Sequence, residues 1–190
     1  MAEFDFSTFP TLVTPRLVLR QIVPGDAADL FSIHGDPEVQ KYDSDPPMHA
    51  IAEAVEAIQQ IRQHFVSKKS ITWGITLKGE NRIIGNFVFF FWGLAYYKAD
   101  LGYSIARTYW RRGIATEALR AILQFGFETL RLHRVNVDTR VDNLASVRLM
   151  HKVGFHPEGV RRECVLNADG TYQSWGLFGM LEDEYRLLAY

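Results

Sequence analysis

The sequence predicts a single α/β domain built on a mixed sheet. Strand-like apolar alternation recurs along the chain, amphipathic helical patterns separate several of these segments, and 190 residues suffice for one complete core but not for two. With 47% hydrophobic and 23% charged residues, the composition is that of a folded globular protein. We therefore expect one domain over residues 1–190, with residues 1–13 as a loose N-terminal arm.

Seven segments carry strand patterns. Apolar side chains alternate with others in 16–22 and 71–77, and the run 82–92 is apolar enough for burial on both faces, which indicates a central strand. The segments 78–81 and 167–170 have turn composition, so each predicts a hairpin. The predicted strands are 16–22, 71–77, 82–92, 100–106, 134–140, 155–166 and 171–181.

Helical periodicity occupies the intervals between several strands. A turn at 24–26 starts the first helix, which the Gly35-Asp36-Pro37 segment ends. Apolar spacing of three and four residues indicates a long helix after residue 113, and Gly154 closes the last one as a C-cap. The predicted helices cover about 27–34, 49–66, 114–130 and 144–153.

Charge and hydropathy exclude two classes of partner. The formal net charge is −1, so no overall basic field points to direct nucleic-acid binding. The longest apolar run, 87–92, is far shorter than the roughly 20 residues of a membrane helix, so we expect no membrane partner. Residues 1–10 lack the basic and apolar regions of a signal peptide.

Cysteine and histidine content bears on location and metals. Cys164 is the single cysteine, so no intramolecular disulfide forms, and we expect a cytoplasmic location. A covalent intermediate on Cys164 is chemically possible, but a structural role is favoured. His133, His151 and His156 do not have metal-ligand spacing with this cysteine or with nearby carboxylates, and we predict no metal.

The run 109–118 is the first stretch that suggests chemistry. A strand leads into a basic turn containing Gly113, and the turn opens a helix. This arrangement leaves backbone N–H groups unpaired at the positive end of a helix dipole, which suits a phosphate. The run lacks the Gly-Lys-Ser/Thr ending of a P-loop and the three spaced glycines of a dinucleotide fingerprint. An ordinary strand-to-helix connection with surface arginines is the alternative.

The second stretch is the helix that follows Asp142. Asn143, Ser146 and Met150 share one face at positions i, i+3 and i+7. A purely structural interpretation explains Asn143 as an N-cap and Gly154 as a C-cap, but it explains Ser146 less well.

Together the two stretches closely resemble the GNAT superfamily of acetyl-CoA-dependent N-acetyltransferases. The resemblance rests on the run 110–118, on Asn143-x-x-Ser146 and on Lys152-x-Gly154-Phe155, and it covers essentially residues 14–181. The segment 14–20, the pair Gly102-Tyr103 and the terminal hairpin near 167–172 look like the branch that includes ribosomal-protein alanine N-acetyltransferases. The resemblance to the GNAT superfamily implies a three-layer α/β fold with a mostly antiparallel seven-stranded sheet, a splayed central strand pair and flanking helices.

The resemblance also implies a site. Backbone amides of the basic turn would hold the pyrophosphate of acetyl-CoA, the gap between strands 100–106 and 134–140 would take the pantetheine arm, and Asn143 would bond the pantetheine amides. Asp100 is the leading candidate for accepting the proton of an amine acceptor, with a solvated residue at the start of the strand as the alternative. Glu163 is a second carboxylate candidate, for which a surface salt-bridge role is favoured. Ser146 would approach the acetyl or sulfur end. The implied cofactor-binding residues are Ser104, Ile105, Ala106, Arg111, Arg112, Gly113, Ile114, Ala115, Thr116, Asn143 and Ser146.

The implied partners are acetyl-CoA and a primary amine, either a protein N-terminus or a small molecule such as a polyamine, an amino acid or an aminoglycoside. An exposed strand near the C-terminus suggests a homodimer. We expect the aromatic segment 92–97, which leads into the strand of Asp100, to shape the acceptor pocket.

Two departures from the family pattern leave alternatives open. Trp110 stands where many members have glutamine or arginine, and Met150 stands where many have a tyrosine that protonates the departing thiolate. A CoA-binding module without turnover is therefore one alternative. A nucleotide-phosphate enzyme that uses the Gly113 turn is another.

Overall fold

A mixed eight-stranded sheet forms the frame of the protein. The computed structural model describes residues 5–43, 45–91, 97–166 and 170–188. The sheet order is β1-β2-β3-β4-β5-β6-β8-β7, and every neighbouring pair is antiparallel except β5 with β6. The strands are β1 (Leu12–Val13), β2 (Leu17–Gln21), β3 (Ser70–Leu77), β4 (Gly85–Phe91), β5 (Lys98–Ile105), β6 (Arg134–Arg140), β7 (His156–Leu166) and β8 (Tyr172–Leu181).

The helices flank this sheet in two layers. They are α1 (Ala27–His34), α2 (Pro37–Gln40), α3 (Ile51–Val66), α4 (Ile114–Gln124), α5 (Leu144–Val153) and α6 (Glu182–Arg186). A π-helical turn, Phe125–Thr129, extends α4, so that the predicted helix 114–130 is confirmed as a continuous element. The predicted mostly antiparallel mixed sheet with flanking helices is confirmed, with eight strands in place of seven.

The additional strand, β1, lies in the segment predicted to be a loose arm. β1 pairs with β2 through Leu12↔Leu19 and Val13↔Val18. Upstream of it, the ring of Phe9 packs against Phe65 at 5.0 Å between centroids, and Trp73 donates its indole N–H to the Pro10 carbonyl at 2.7 Å. The arm prediction is therefore corrected for residues 5–13, because buried aromatic contacts and strand pairing hold this segment on the sheet.

Two apolar clusters lie on opposite faces of the sheet. The ring of Trp73 packs edge-on against Phe125, beside α4, in the larger cluster. A Cβ on the next residue, Gly74, would meet Ile83 and Ile22, which belong to the cluster containing α1 and α3. Because successive strand residues point to opposite faces, α4 and α5 cover one face while α1 and α3 cover the other.

The parallel pair β5–β6 separates partway along its length. The two strands pair only through Lys98↔Arg134, Ala99↔Val135 and Asp100↔Asn136. Beyond this point β5 stays paired with β4 as far as Ile105, and β6 stays paired with β8 as far as Arg140. The result is a wedge-shaped gap in the sheet, which confirms the predicted splayed pair.

The strand β7 forms one edge of the sheet and is exposed along most of its length. An exposed edge strand offers unpaired backbone groups to which a second copy of the chain could pair. The homodimer that the sequence suggests stays a prediction. The predicted hairpin turn between β7 and β8 falls largely on residues 167–169, which lie outside the described residues.

No helix in the part of the chain that the structure describes is long and apolar enough to span a lipid bilayer.

Candidate active site

A cleft of about 810 Å³ opens where β5 and β6 separate. The cleft is lined by the start of α4 and by one side of α5. Residues 41–43, which follow α2, also line it. The cleft brings together ten of the residues predicted from the sequence: Asp100, Ser104, Ile105, Arg111, Gly113, Ile114, Ala115, Thr116, Asn143 and Ser146. Three others, Ala106, Arg112 and Glu163, do not line it.

The basic turn before α4, which is the candidate anion site, lines the cleft. Arg111 and Gly113 both have left-handed backbone conformations, with φ of 59° and 75°, and Gly113 is the N-cap of α4. Within the described part of the chain, the amides of 111–116 donate no hydrogen bond to a protein acceptor, since the first intrahelical bond runs from Glu117 N to Gly113 O. These amides and the helix dipole therefore present positive potential to an anion.

Glu117, in the first turn of α4, ties this turn to the N-terminal segment. Its carboxylate accepts hydrogen bonds from Thr14 Oγ1 at 2.6 Å, Arg16 N at 2.8 Å and Arg16 Nε at 2.6 Å. Arg16 also donates through Nη1 to the Arg112 carbonyl at 3.0 Å. Burial alone would raise the pKa of Glu117, but these hydrogen bonds outweigh burial and hold the pKa below its usual value. The predicted family segment at 14–16 thus acts as a brace for the anion site.

The backbone of β5 faces the gap at alternate residues. The Ala106 amide donates to the Ile84 carbonyl at 2.9 Å on the β4 side, and the Ala106 carbonyl accepts from Tyr109 N at 2.9 Å. Because backbone groups alternate in direction along a strand, Ser104 also faces β4, whereas the peptide groups of Ile105 face the gap. The Ile105 carbonyl accepts the Trp110 indole N–H at 2.7 Å, so its N–H is the group directed at the gap.

On the other side of the gap, α5 contributes two polar side chains. Asn143 is the N-cap of α5, and its Oδ1 accepts from Ser146 N at 3.2 Å, so Nδ2 is the part of the amide left for a ligand. Ser146 is only 5% exposed. Met150 is fully buried in the larger cluster.

Sequence reasoning missed a hydroxyl beside Ser146. Tyr103 on β5 lines the cleft with Ser146, and burial raises the pKa of its phenol while the neighbouring Ser146 hydroxyl opposes this shift. In the sequence, Gly102-Tyr103 is only a marker of the family branch. Nothing in the sequence brings Tyr103 near Ser146, because their proximity depends on how β5 and α5 are placed against each other.

Two carboxylates lie in the cleft near the point where the strands separate. Asp100 accepts a hydrogen bond from Asn136 Nδ2 at 2.8 Å, and Asp138 lies one alternation further along β6. Burial raises the pKa of Asp138; its ion pair with Arg161 opposes this, and the charge of Asp100 adds to it. Sequence reasoning missed Asp138, although the alternation of β6 places it on the same face as Asn136.

Glu163, the second carboxylate candidate, is outside the cleft. It is exposed at an irregularity in β7, has a φ of 49°, and its amide donates to Ser174 Oγ at 3.0 Å. The exposed position of Glu163 agrees with the surface role that was favoured for it, and it removes Glu163 as a candidate for the wall of the pocket. The exposed Cys164 follows it. Residues 92–96, expected to shape the acceptor pocket, lie outside the described residues.

Among the residues that the structure describes, no three His, Cys, Asp or Glu side chains are grouped so as to hold a metal ion.

Comparison with known proteins gives the family. Residues 16–156 match the acetyltransferase (GNAT) domain family. The chain is 36% identical over 166 residues to the N-acetyltransferase YoaA of Bacillus subtilis (strain 168), covering 87% of this chain and 94% of YoaA.

Two solved structures have the same fold as this chain. Mycobacterium smegmatis RimJ, solved in complex with CoA-disulfide, superposes with a TM-score of 0.80 at 25% identity over 92% of this chain and 87% of RimJ. A structure described as a ribosomal-protein-serine acetyltransferase from Vibrio cholerae gives a TM-score of 0.74 at 25% identity over 90% of this chain and 97% of its own. With the wedge, the anion turn and the cleft in the arrangement described above, this chain belongs to the GNAT family and is an acetyl-CoA-dependent acyltransferase.

Proposed function

We propose that the enzyme transfers the acetyl group of acetyl-CoA directly to a primary amine, with a protein N-terminal amine as the favoured acceptor and small-molecule amines as the alternative. One observation carries this proposal. The wedge between β5 and β6 closes at Asp100↔Asn136, so a single cleft contains both a channel for an extended thioester and a carboxylate at its end.

Acetyl-CoA fits the described groups along the length of the cleft. The amides of 111–116 suit its pyrophosphate, because they are unpaired and lie at the start of α4. The pantetheine arm would take the place of a strand in the wedge, with Asn143 Nδ2 bonding one of its amides. Of the three residues predicted to hold the arm, Ile105 directs its amide at the gap, while the peptide groups of Ser104 and the amide of Ala106 face β4.

The Ile105 amide has a second use in this arrangement. An N–H aimed at the gap polarises the thioester carbonyl and stabilises the negative charge that develops on its oxygen during attack. The Trp110 indole holds the Ile105 carbonyl at 2.7 Å and so fixes the orientation of this peptide group.

Asp100 takes the proton of the attacking amine, directly or through a water. An ammonium ion has no lone pair, so it must lose a proton before it attacks. Asn136 Nδ2 holds the carboxylate at 2.8 Å, and Asp138 adds a second negative charge that attracts a cationic acceptor into the cleft. Ser146 stands near the sulfur of the leaving thiol.

The preference for a protein N-terminus as acceptor rests on the similarity of this chain to other acetyltransferases. The branch resemblance in the sequence and the Vibrio cholerae structure described as a ribosomal-protein-serine acetyltransferase both favour a peptide acceptor. The near-neutral net charge of this chain does not by itself select among amines.

The test is an acceptor screen that measures release of free CoA thiol. The panel contains peptides with free N-terminal residues, the same peptides with blocked N-termini, polyamines, free amino acids and aminoglycosides. We expect thiol release with free but not with blocked peptides, and mass spectrometry should find the acetyl group on the α-amine. Release with polyamines or aminoglycosides alone would move the acceptor to the small-molecule class, and release with no member of the panel would contradict the proposal.

A further inference from the structure

The indole N–H of Trp175 on β8 is buried and unpaired. Among the residues that the structure describes, Trp175 Nε1 is the only buried side-chain nitrogen or oxygen atom without a hydrogen-bond partner. Two other indoles are satisfied, since Trp73 donates to the Pro10 carbonyl and Trp110 to the Ile105 carbonyl, both at 2.7 Å. A buried donor without an acceptor is costly, so an unpaired one calls for an explanation.

The ring of Trp175 lines the cleft at the open end of the wedge. Its register partner is Arg140, the last residue of β6. Phe178 and Met180 on β8 belong to the apolar cluster that packs under α4 and α5. Because strand residues alternate between faces, Trp175 lies on the opposite face of the sheet, the face that also carries Asp138 of β6.

Carboxylates lie beside Trp175 on this face. Asp138 precedes Arg140 by two residues and is therefore a diagonal neighbour of Trp175 across the β6–β8 pair. Diagonal neighbours are about 7–8 Å apart, within reach of an aromatic side chain. Asp138 is paired with Arg161 of β7, and Asp100 lies further toward the closed end of the wedge. This face thus presents carboxylates that attract an ammonium group, next to an indole N–H that requires an oxygen acceptor.

The segment after α2 lies against the same end of β6. Arg140 donates through Nη1 to the Lys41 carbonyl at 3.4 Å, and its guanidinium carbon is 5.4 Å from the centroid of the Tyr42 ring. Residues 41–43 and Trp175 both line the cleft. The entrance on this face is therefore bordered by the segment after α2 and by β8, away from α4 and α5.

The dimensions of this entrance suit an extended peptide. Four residues of β6 separate Asn136, at the closed end, from Arg140, at the open end, which is about 13 Å at about 3.3 Å per residue. An extended peptide advances by a similar distance per residue. If its N-terminal amine lies at Asp100 and its chain leaves by the open end, the carbonyl groups of its first few residues pass Trp175.

We propose that the Trp175 indole N–H donates a hydrogen bond to a backbone carbonyl oxygen of the acceptor peptide. Trp175 thereby selects peptides over amines that have no hydrogen-bond acceptor. A protonated polyamine carries only donors, so it leaves the indole unpaired. Nε1 is covered in the free protein, and the ring turns to meet the carbonyl as the peptide enters. This inference rests on the proposed function and names the part of the acceptor that the site recognises.

The kinetic test uses acceptors of increasing length, from a single amino acid amide to a tetrapeptide amide. In the wild type, kcat/KM should rise about tenfold at the length that brings a carbonyl to Trp175, the effect of one hydrogen bond to a buried donor. Trp175→Phe keeps an aromatic ring but lacks the N–H, so this rise should be absent. An equal rise in both proteins would overturn the inference and leave the proposed acetyl transfer intact.

Trp73→Phe is the matched control. Trp73 is fully buried, does not line the cleft, and its indole N–H is already paired with the Pro10 carbonyl. The variant should be less stable than the wild type but should keep the rise of kcat/KM with peptide length. Loss of the rise in Trp73→Phe as well would mean that it reflects general destabilisation, which would contradict a specific role for Trp175.

Nuclear magnetic resonance tests the hydrogen bond itself without turnover. The indole N–H resonances of ¹⁵N-labelled wild type are followed with CoA, which carries no acetyl group, and then with CoA and the tetrapeptide amide. The Trp175 resonance is the one missing in Trp175→Phe, or in Trp175→Tyr if the first variant folds poorly. We expect its proton to move downfield when the peptide is added and to stay in place when a polyamine is added.

Two results of this titration would overturn the inference. A downfield shift with CoA alone would give the indole N–H to the cofactor, and no shift with saturating peptide would leave Trp175 without a role in acceptor binding. Absence of thiol release with every peptide in the acceptor screen would count against the proposed function instead, so the two failures are distinguishable.

Discussion

Asn136 donates a hydrogen bond to Asp100 at 2.8 Å, and these two residues are also the last register partners before β5 and β6 separate. The proposed base is thus fixed where the sheet is still paired, while the space in front of it is open. An amide donor on one oxygen orients the carboxylate at the closed end of the wedge.

We expect Asp100→Asn to lower kcat/KM by about a hundredfold, because an amide cannot accept the amine proton. Its side-chain oxygen can still accept from Asn136, so the geometry of the splay point is preserved. Activity of the variant should recover as the pH is raised, where free amine is already present, and the pH–rate profile measures this.

Glu163→Gln is the matched control for that experiment. It removes a carboxylate that the sequence proposed for the pocket but that the structure places outside the cleft. We expect kcat/KM within about twofold of the wild type, as for other surface changes. A larger loss for Glu163→Gln than for Asp100→Asn would reverse the assignment of the base.

Gly113 supplies a left-handed residue at the start of α4. A Cβ there would meet its nearest neighbour, Arg16 Nη2, at 3.4 Å, so Gly113→Ala has room but requires a strained φ of 75°. The backbone should relax away from this value at a cost of about 1 kcal/mol, which turns the neighbouring amides and weakens acetyl-CoA binding about tenfold in calorimetry.

Gly79→Ala provides the comparison, since Gly79 has a φ of 82° and a Cβ there would meet nothing within 4 Å. Gly79→Ala carries similar backbone strain in the turn between β3 and β4, which does not line the cleft. Its stability should fall while its affinity for acetyl-CoA stays at the wild-type value. Equal affinities in the two variants would remove Gly113 from the anion site.

Glu117→Gln tests the brace between α4 and the N-terminal segment. The folded-state pKa of Glu117 is lowered, so its contribution to stability is fully present above the unfolded pKa of about 4.3 and is lost as the pH falls through the folded pKa. At neutral pH we expect the variant to lose on the order of 1 kcal/mol, discounted because the Arg16 side chain is 51% exposed. Urea unfolding at neutral and acid pH should show the difference from wild type shrinking in acid. A difference that grows in acid would contradict this assignment.

The sequence predicts the strand, turn and helix around Gly113 because the evidence for them is local. Gly113, the basic residues around it and the helix that follows are contiguous, so strand-to-helix geometry alone implies free amides at this point. The same holds for Asn143 as the N-cap of α5. Family resemblance then gives the order of the elements around these two local features.

Contacts between distant segments could not be predicted in this way. The alternation of β6 places Asp138 on the face of Asn136, but its ion pair with Arg161 needs the order β6-β8-β7, in which a side chain from the edge strand reaches across β8. The pair Tyr103 and Ser146 likewise depends on packing of α5 beside β5. The register shift between β7 and β8 beside Glu163 has no clear signal in the sequence either.

The direction of the pKa shift of Asp138 predicts how the stability of the folded protein changes with pH, and this can be tested. Burial raises its folded-state pKa above the unfolded value of about 3.9, and the charge of Asp100 adds to this against the opposing Arg161. The ionised carboxylate is therefore less favourable in the folded state, so wild-type stability falls as the pH rises from the unfolded pKa through the folded pKa. Asp138→Asn removes that loss.

In urea unfolding, the stability of Asp138→Asn relative to the wild type should therefore be higher at about pH 7 than at about pH 3, whatever its value in acid. Arg161→Gln should act in the opposite sense, because it removes a cation that lowers the pKa of Asp138. It should therefore enlarge the loss of stability on going from acid to neutral pH. A relative stability of Asp138→Asn that falls with rising pH would mean that Arg161 outweighs burial, and that Asp138 serves mainly to anchor β7 across β8 to β6.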